Sequence, residues 1–464
     1  MGGGTRWGTI IIGAGPAGMS AALELARLGL PALVIDSAPL PGGQYFKQST
    51  LRTRPAPSKE GRSLIAAFDR ADVGRLMDTQ VWGITPEPDG FEVAVFRKNG
   101  EERRLWSRTL VIATGAYDRP VPFPGWDLPG VMMAGGALTM IKHQGALPGR
   151  RVLLCGTGPL QWVLARHLLE GGAQVVGIVD AAPFPWKALR RLTALMGQGE
   201  RMREGLGAWA AILRAGVPVH WGKIILRAEG ADGVERAVIG RPDGTSTQSF
   251  AVDAVCLGYG FQPFNHLARM IGCEHRYVAP LGGWVPLRDD WCETTVEGVF
   301  VAGDAAGIQG KDAALLEGKL AGWGAARRLG VNVPADQVRA LRAQLRRQRA
   351  MAQFLSYVFP YPFDSIPFPV EDDTILCRCE EVRVGDIRRV VHEGASTLRM
   401  VRMLTRAGMG LCQGRTCADL VCHLLAQETG TPAADIAGPR VSIPLFPIPL
   451  YGVIGEDDHV RSES

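Results

Sequence analysis

Thr9-Ile10-Ile11-Ile12-Gly13-Ala14-Gly15-Pro16-Ala17-Gly18 is the stretch on which the fold of this chain turns. Four β-branched residues read as a short buried strand and the glycines as a tight turn. Met19 to Leu28, with small and apolar residues at helical spacing, read as the helix that follows. In such a unit Gly13 permits the turn and Gly15 lets backbone N–H groups approach a pyrophosphate at the positive end of the helix. Gly18 lets the helix pack closely on the strand, and Pro16 and Ala17 fill the first turn between them. A second apolar run, Ala32 to Ile35, ends at Asp36, about twenty residues after the motif begins, where a carboxylate can accept hydrogen bonds from a ribose. Glycine patterns of this spacing also occur in ordinary loops, so three further segments matter. Gly42-Gly43-Gln44 follows Asp36 closely, and Val111-Ile112-Ala113-Thr114-Gly115 is a strand running into a glycine. Gly298 to Asp304 is a strand ending in Gly303-Asp304 ahead of a helix.

The unit is repeated. Arg151 to Cys155 leads into Gly156-Thr157-Gly158-Pro159-Leu160-Gln161, then an apolar helix to about Glu170 and a strand Gln174 to Val179 that ends at Asp180. No arginine follows Asp180, which favours a free ribose 2′-hydroxyl over a phosphate. The third glycine, however, is replaced by Gln161. A side chain there pushes the helix from the strand or occupies nucleotide space, leaving either NAD(H) binding or a retained fold with at most a structural adenine nucleotide. Cys256 to Pro263 reads as the strand and glycine turn that return the chain to the first unit.

With 464 residues and 46% hydrophobic content the chain has room for about three domains with packed cores. The 51 basic and 46 acidic residues are too nearly balanced to argue for nucleic acid, so the formal charge of +5 is read as a solubility term. No run of eighteen apolar residues occurs, and Met1-Gly2-Gly3-Gly4 lacks the regions of a secretory signal. A cytoplasmic, soluble protein is expected, with peripheral association with the inner membrane through a partner left open. Four of the nine cysteines are scattered singly (Cys155, Cys256, Cys273, Cys292) and five crowd between Cys377 and Cys422. That crowding reads as a metal site in a reducing compartment rather than a disulfide scaffold.

As an ordered set these segments resemble the two-dinucleotide-domain flavoproteins over residues 8 to about 330. The resemblance implies an α/β, Rossmann-like fold, with an FAD-binding domain at 1–125 and 285–330 and an inserted NAD-like domain at 126–284. It places FAD on Gly13, Gly15, Pro16, Ala17, Gly18, Asp36, Gly43, Gln44, Val81, Ala113, Thr114, Gly115, Gly303 and Asp304. Asp304 would bond the ribityl or pyrophosphate region, and amides after Gly307 would lie under the flavin. In reductases of this architecture the inserted domain binds NAD(P)H, which here would use Gly156, Gly158 and Asp180. Disulfide reductases of the fold carry a redox cysteine pair near residues 37–50 or 131–140, where this chain has none, so flavin-to-disulfide transfer is not expected. Cys155 is read as strand packing. Lys142 and His143, near the domain junction, are read as exposed or capping, and no residue stands out as a general base or nucleophile.

Residues 331–370 read as a linker: an Arg-rich helix over roughly Ala335 to Ser356 with one solvated face, then a proline-rich piece that cannot continue it. A small domain then spans 371–435 and carries Cys377-Arg378-Cys379, a gap of thirty-two residues, and Cys412-Gln413-Gly414-Arg415-Thr416-Cys417. Four thiolates are the complement of a [2Fe-2S] cluster. They also meet the tetrahedral preference of zinc, but the common zinc knuckles use CxxC pairs, whereas this chain has CxC and CxxxxC. Cys422 is read as helix packing. The CxC pair, the approach Thr405 to Gly410 and the CQGRTC closure resemble the bacterioferritin-associated-ferredoxin-like (BFD-like) domain, which is helical and binds [2Fe-2S].

Its fusion behind an FAD domain resembles the α-type subunit of heteromeric amino-acid and opine dehydrogenases. These include proline and hydroxyproline dehydrogenases, octopine and nopaline oxidases, and hydrogen cyanide synthase. The resemblance implies a flavoprotein β-type partner that oxidises the substrate at a C–N bond, room for a small third subunit, and electron relay toward a respiratory acceptor such as a quinone. It also leaves room for a second nucleotide, FMN, ATP or NAD, in the inserted domain or at an interface. The tail 436–464 contains the mostly apolar stretch Val441 to Ile454, read as a partner-docking strand or as packing on its own domain. Two rival readings stand beside this one: a self-contained NAD(P)H-dependent reductase that sends electrons out through its cluster, and a non-catalytic scaffold.

Overall fold

The computed structural model describes residues 6–49, 58–98, 100–186, 199–364, 366–436, 438 and 441–449. Strand Arg6–Ile12 lies between parallel strands Ala32–Ile35 and Glu102–Ile112, with Ile12 opposite Ile35 on one side and Ile112 on the other. Gly74–Leu76 extends the sheet beyond Ala32–Ile35, and Val299–Val301 pairs with the end of Glu102–Ile112. That long strand changes partners along its length. Its first half pairs antiparallel with Gly90–Arg97, which in turn pairs with Thr79–Glu87. Arg103, Arg104 and Arg108 are exposed while Leu105 and Ser107 are buried, the alternation of a sheet wet on one face. Thr109 to Ile112 are continuously buried, because there helices and the opposite layer cover both faces. Helices Pro16–Arg27 and Lys311–Arg328 pack together on one of those faces through small residues such as Ala17, Ala21, Ala314 and Ala321.

The inserted unit repeats the plan. Its five strands run in the spatial order Val219–Trp221, Gln174–Asp180, Arg151–Gly156, Ala254–Gly258, Val131–Met133, and all neighbours are parallel. An antiparallel ribbon of Ile224–Glu229, Arg236–Gly240 and Gln248–Ala251 lies beside it. The chain crosses between units through two short strands, Ala116–Asp118 and Phe261–Pro263, which pair antiparallel with each other. Residues 267–273 then return to the first unit, where Leu267, Ala268, Ile271 and Cys273 join its core.

Helix Ala335–Val358 is laid against this body. It buries Val338, Leu341, Leu345, Met351, Phe354 and Val358 along one side and leaves most of its arginines outside, as its amphipathic spacing predicts. The proline-rich piece after it is no free linker. Phe363 and Phe368 enter a core shared by the inserted unit and the C-terminal domain, with Phe363 against Tyr259 at 5.4 Å between ring centres. The C-terminal domain itself is a two-strand hairpin, Ile375–Cys377 with Val382–Arg383, and three helices, Val384–His392, Leu398–Thr405 and Ala418–Thr429. Trp126 donates its indole N–H to Ile375 O at 2.5 Å, joining the two units by a hydrogen bond inside their common core. The tail packs on the first unit: Leu445 is buried and its N–H donates to Trp82 O at 2.8 Å, while Phe446 meets Phe264. Residues 450–454 of the expected docking strand lie outside the described residues. Among the described residues no helix is long and apolar enough to cross a membrane.

Candidate functional site

The parallel strands of the first unit deliver their C-terminal ends to one edge, and the glycine turn sits there. Gly13 has φ +109°, and a Cβ on it would lie 2.4 Å from Ala113 O; a Cβ on Gly18 would lie 1.7 Å from Gly13 O. Neither place admits a side chain, so helix Pro16–Arg27 presents its first amides directly above the strand end. Gly43 closes over the turn so tightly that a Cβ on it would come within 2.8 Å of Gly15 Cα. The Asp36 carboxylate accepts from Ala14 N at 2.5 Å and Ala38 N at 2.8 Å. Burial raises its pKa, and those two amides oppose the rise. Asp36 O in turn accepts the Thr79 N–H, which brings the edge strand holding Val81 beside it; Val81 is itself buried in the core.

On the other side of the turn, the Thr114 hydroxyl donates to Phe264 O, and Phe264 N–H donates to Gly115 O at 2.8 Å. Asp304 Oδ1 accepts from Gln309 N and Gly310 N, each at 3.0 Å, and the following helix begins at Lys311. The amides after Gly307 thus converge first on Asp304. Gln44 approaches Thr139 at 3.5 Å, and His143 Nδ1 lies 2.8 Å from Gln48 O while its own carbonyl accepts from Ser49. His143 therefore anchors the loop that carries Gln44. A side-chain-free cradle with amides at the strand ends fits the pyrophosphate of an adenine dinucleotide.

The second glycine turn is built differently. Its helix starts at Leu160, one motif position later than the first, and position 161 carries a glutamine where the first turn has Gly18. Gly156 is pressed against the neighbouring strand, where a Cβ would lie 2.2 Å from Gly258 O, and the positive φ has moved to Gly158. Phe359, just past the end of helix Ala335–Val358, stands over Gly158 with its Cβ 3.5 Å from where a Gly158 Cβ would be, and meets Trp162 edge-on. Asp180 has no exposed surface; it accepts from Gly158 N at 3.2 Å and Ala182 N at 2.9 Å, and burial pushes its pKa up to about 6. Gln161 is buried, and neither amide atom finds a partner among the described residues.

The four domain cysteines converge. Cys377 ends a strand, Cys417 caps helix Ala418–Thr429, and their sulfurs are 3.5 Å apart. Cys417 also contacts Cys412, and Cys412 contacts Cys379. A Cβ on Gly410 would lie 2.4 Å from Cys379 Cβ, so the turn leading to Cys412 must be bare at that point. Gly408 N–H points at Cys377 Sγ at 3.5 Å. The hydrogen bond from Cys417, stronger than the opposing burial, lowers the Cys377 thiol to about 6 and holds Cys412 well below the usual thiol range, while Cys417 keeps its proton. Four cysteine sulfurs brought together from paired loops are the ligand set of an iron–sulfur cluster. Cys379 is exposed and Cys412 half-buried, which makes theirs the outward edge of the site. Leu411 beside it is 75% exposed and Met403 is 65% exposed, with Met400, Leu404 and Met409 also exposed nearby. Cys422 and the four scattered cysteines are buried free thiols.

Residues 8–330 match the family model described as pyridine nucleotide-disulphide oxidoreductase, and residues 375–427 match the BFD-like [2Fe-2S] binding domain. Fold and site thus define an FAD-dependent oxidoreductase with a C-terminal [2Fe-2S] domain. An opine oxidase subunit from Rhizobium meliloti (strain 1021) is 36% identical over 96% of this chain and 97% of its own length. Hydrogen cyanide synthase subunit HcnB of Pseudomonas aeruginosa is 32% identical over 95% of this chain and 97% of its own. The chain belongs to the family of these two proteins. The crystal structure of L-proline dehydrogenase from P. horikoshii has the same fold, with a TM-score of 0.72 and 22% identity over 97% of this chain and 79% of that one.

Residues that the motifs did not signal surround both sites. Glu317, Arg288 and Arg349 form a buried ion cluster behind Gly303, and Trp126 and Phe359 tie the units together. A glutamate inside the otherwise Ala- and Gly-rich helix Lys311–Arg328 was the one available hint of the first of these.

Proposed function

We propose that this chain is the electron-transfer subunit of a heteromeric dehydrogenase that oxidises an amino acid, imino acid or opine at a C–N bond. A flavoprotein β-type partner, with or without a small third subunit, carries out the oxidation. This chain relays electrons toward a respiratory acceptor such as a quinone, in an assembly at most peripheral to the inner membrane. Glycine, the substrate of a cyanide synthase, is one candidate. The observation that carries this reading is the welding of cluster domain to flavoprotein body: Phe363, Phe368, Leu376, Val421 and Leu424 share one core with Val131, Leu153 and Val255 of the inserted unit. Electrons can then move between the two centres without a domain swing.

Bound FAD accepts electrons in pairs and the cluster passes them singly, which is the chemistry these groups supply. In this proposal Gly13, Gly15, Pro16, Ala17, Gly18 and Gly43 cradle the pyrophosphate, Asp36 and the Val81 main chain hold the ribose and adenine side, and Gln44, Ala113, Thr114, Gly115, Gly303 and Asp304 position the rest. Cys377, Cys379, Cys412 and Cys417 ligate the cluster. The second turn supports a partner-fed over an NADH-fed enzyme: Asp180 is buried among amides and Phe359 stands over Gly158. The exposed Leu411, beside Cys412 in the chain, and the exposed Met403 of helix Leu398–Thr405 suit the approach of a redox partner.

Anaerobic absorbance and EPR titration of the complex purified with its partner tests the reading. Flavin bleaching with a reduced [2Fe-2S] signal on glycine, proline, hydroxyproline or an opine supports it and names the substrate. The same changes on NADH alone would overturn it in favour of the reductase.

A further inference from the structure

Glu317 lies in helix Lys311–Arg328 with no exposed surface, and four groups converge on its carboxylate. Gly303 N–H donates to Oε2 at 3.0 Å; Arg288 reaches Oε2 and Oε1 through its two Nη atoms at 2.9 and 2.7 Å; Arg349 Nη2 reaches Oε1 at 2.8 Å. Gln309 Nε2 completes the set at 3.4 Å. Each donor belongs to a different part of the flavin side of the molecule. Gly303 opens the turn that carries Asp304, in a left-handed conformation with φ +71°. Arg288 also grips Val301 O at 3.0 Å, the end of the strand leading into that turn. Arg349 comes from helix Ala335–Val358, whose far end carries Phe359 over the second glycine turn.

A buried carboxylate with two guanidinium partners is expensive to desolvate and is weak evidence for stability as such, so its position is the informative part. It sits directly behind the backbone of the Gly303–Asp304 turn, and a charged acceptor fixes an N–H more firmly than a neutral one. We propose that Glu317 is a positioning residue for the flavin turn, holding the Gly303 N–H, and that Arg349 makes this hold depend on the docked helix 335–358. Flavin retention is thereby linked to the element that joins the flavoprotein body to the cluster domain. The inference rests on the assignment of the Gly303–Asp304 turn to FAD.

The test uses the full chain, stripped of flavin and titrated with FAD, and reads the dissociation constant, the visible circular dichroism of the bound flavin and the unfolding midpoint of the FAD-free chain. Glu317→Gln keeps the shape and removes the charge; FAD should bind at least tenfold more weakly with an altered visible dichroism. Arg349→Met, at a side chain 41% exposed, should weaken FAD several-fold and alter the visible dichroism of the flavin that remains bound, and Arg349→Lys should recover most of both. Should Glu317→Gln fail to fold, the Arg349 pair carries the test alone. Unaltered FAD affinity and dichroism in Arg349→Met, with Asp304→Ala still weakening FAD, would overturn this inference and leave the turn assignment standing. Unaltered affinity in Asp304→Ala as well would overturn both.

Discussion

Asp36 and Asp180 occupy matching places at the ends of two matching strands, and each accepts one amide from its glycine turn and one from two residues onward. They differ in burial: Asp36 keeps partial access, whereas Asp180 has none and is raised to about 6. The acid is present in both with the same two backbone bonds, but only Asp36 keeps an open face that a ribose hydroxyl could reach. A second buried titration lies where the flavin body meets the cluster loop. His266 is 6% exposed; burial first, and then the nearby charges of Arg269, Arg415 and His275, lower it to about 3. The unfolded chain therefore binds more protons than the folded one below an unfolded pKa of about 6.5, and stability falls as pH drops through that window. Between pH 6.5 and 5 the loss from this residue is about 2 kcal/mol. His275, lowered to about 4 mainly by burial, acts in the same direction. Urea unfolding at pH 7 and pH 5 should show a smaller acid loss in His266→Gln than in the parent chain; equal losses would contradict the assignment.

Helix Ala335–Val358 illustrates how an element that reads as linker becomes structure. Its apolar residues enter the first unit at one end, through Val338, Leu341 and Leu345, and at the other end Phe359 leans on Gly158 and Trp162 of the inserted unit. Truncating this half-buried ring should cost about 2 kcal/mol, below the range for a fully buried Phe. Phe359→Ala uncovers Gly158 but leaves Asp180 buried and bonded, so NADH should still fail to bleach the flavin; bleaching in this variant alone would mean that Phe359 is the sole obstruction. The cluster loop is a second such element. Between Ser396 and Ala418 there are four arginines and no acidic residue, and Met400, Met403, Leu404, Met409 and Leu411 of this stretch are exposed.

For the whole molecule the arrangement is one continuous body: flavin cradle at the strand ends of one sheet, cluster domain packed into the core of the other, and the tail clasping the first unit through Leu445 and Phe446. Arg415, inside the CQGRTC loop, stacks on Phe446 at 4.1 Å, so the tail also touches the cluster loop. If electrons are exchanged with the partner at the outward cysteine edge, a charge placed there should slow exchange and spare both cofactors. Leu411→Asp combined with Met403→Asp should lower the rate of cluster reduction by amine in the complex at least fivefold. The FAD absorbance and [2Fe-2S] EPR signal of the isolated chain should be unchanged. A wild-type rate in the double variant would place the exchange elsewhere.

Both dinucleotide units and the cluster domain were legible in order and kind, because each announces itself locally. A strand that runs into Gly13, Gly15 and Gly18 and is followed by the later strand-to-glycine segments has few uses, and so have four cysteines in CxC and CxxxxC pairs. At Gln161 the sequence raised the question of the second turn without answering it; the structure shows the side chain buried and the positive φ at Gly158 in place of the first glycine. The linker reading of 331–370 missed the packing of Phe363 and Phe368, because an aromatic residue among prolines carries no mark of which core will receive it. Whether the second turn was open depended on Phe359, which lies two hundred residues away in the chain. The buried meeting of Glu317 with Gly303, Arg288 and Arg349 was hidden for the same reason: burial and ion pairing are properties of elements brought together, and no periodicity within one element encodes its partner. Motifs settle which backbone cradles and thiolates the chain possesses; only packing decides which of them is covered, which is braced, and which edge faces outward.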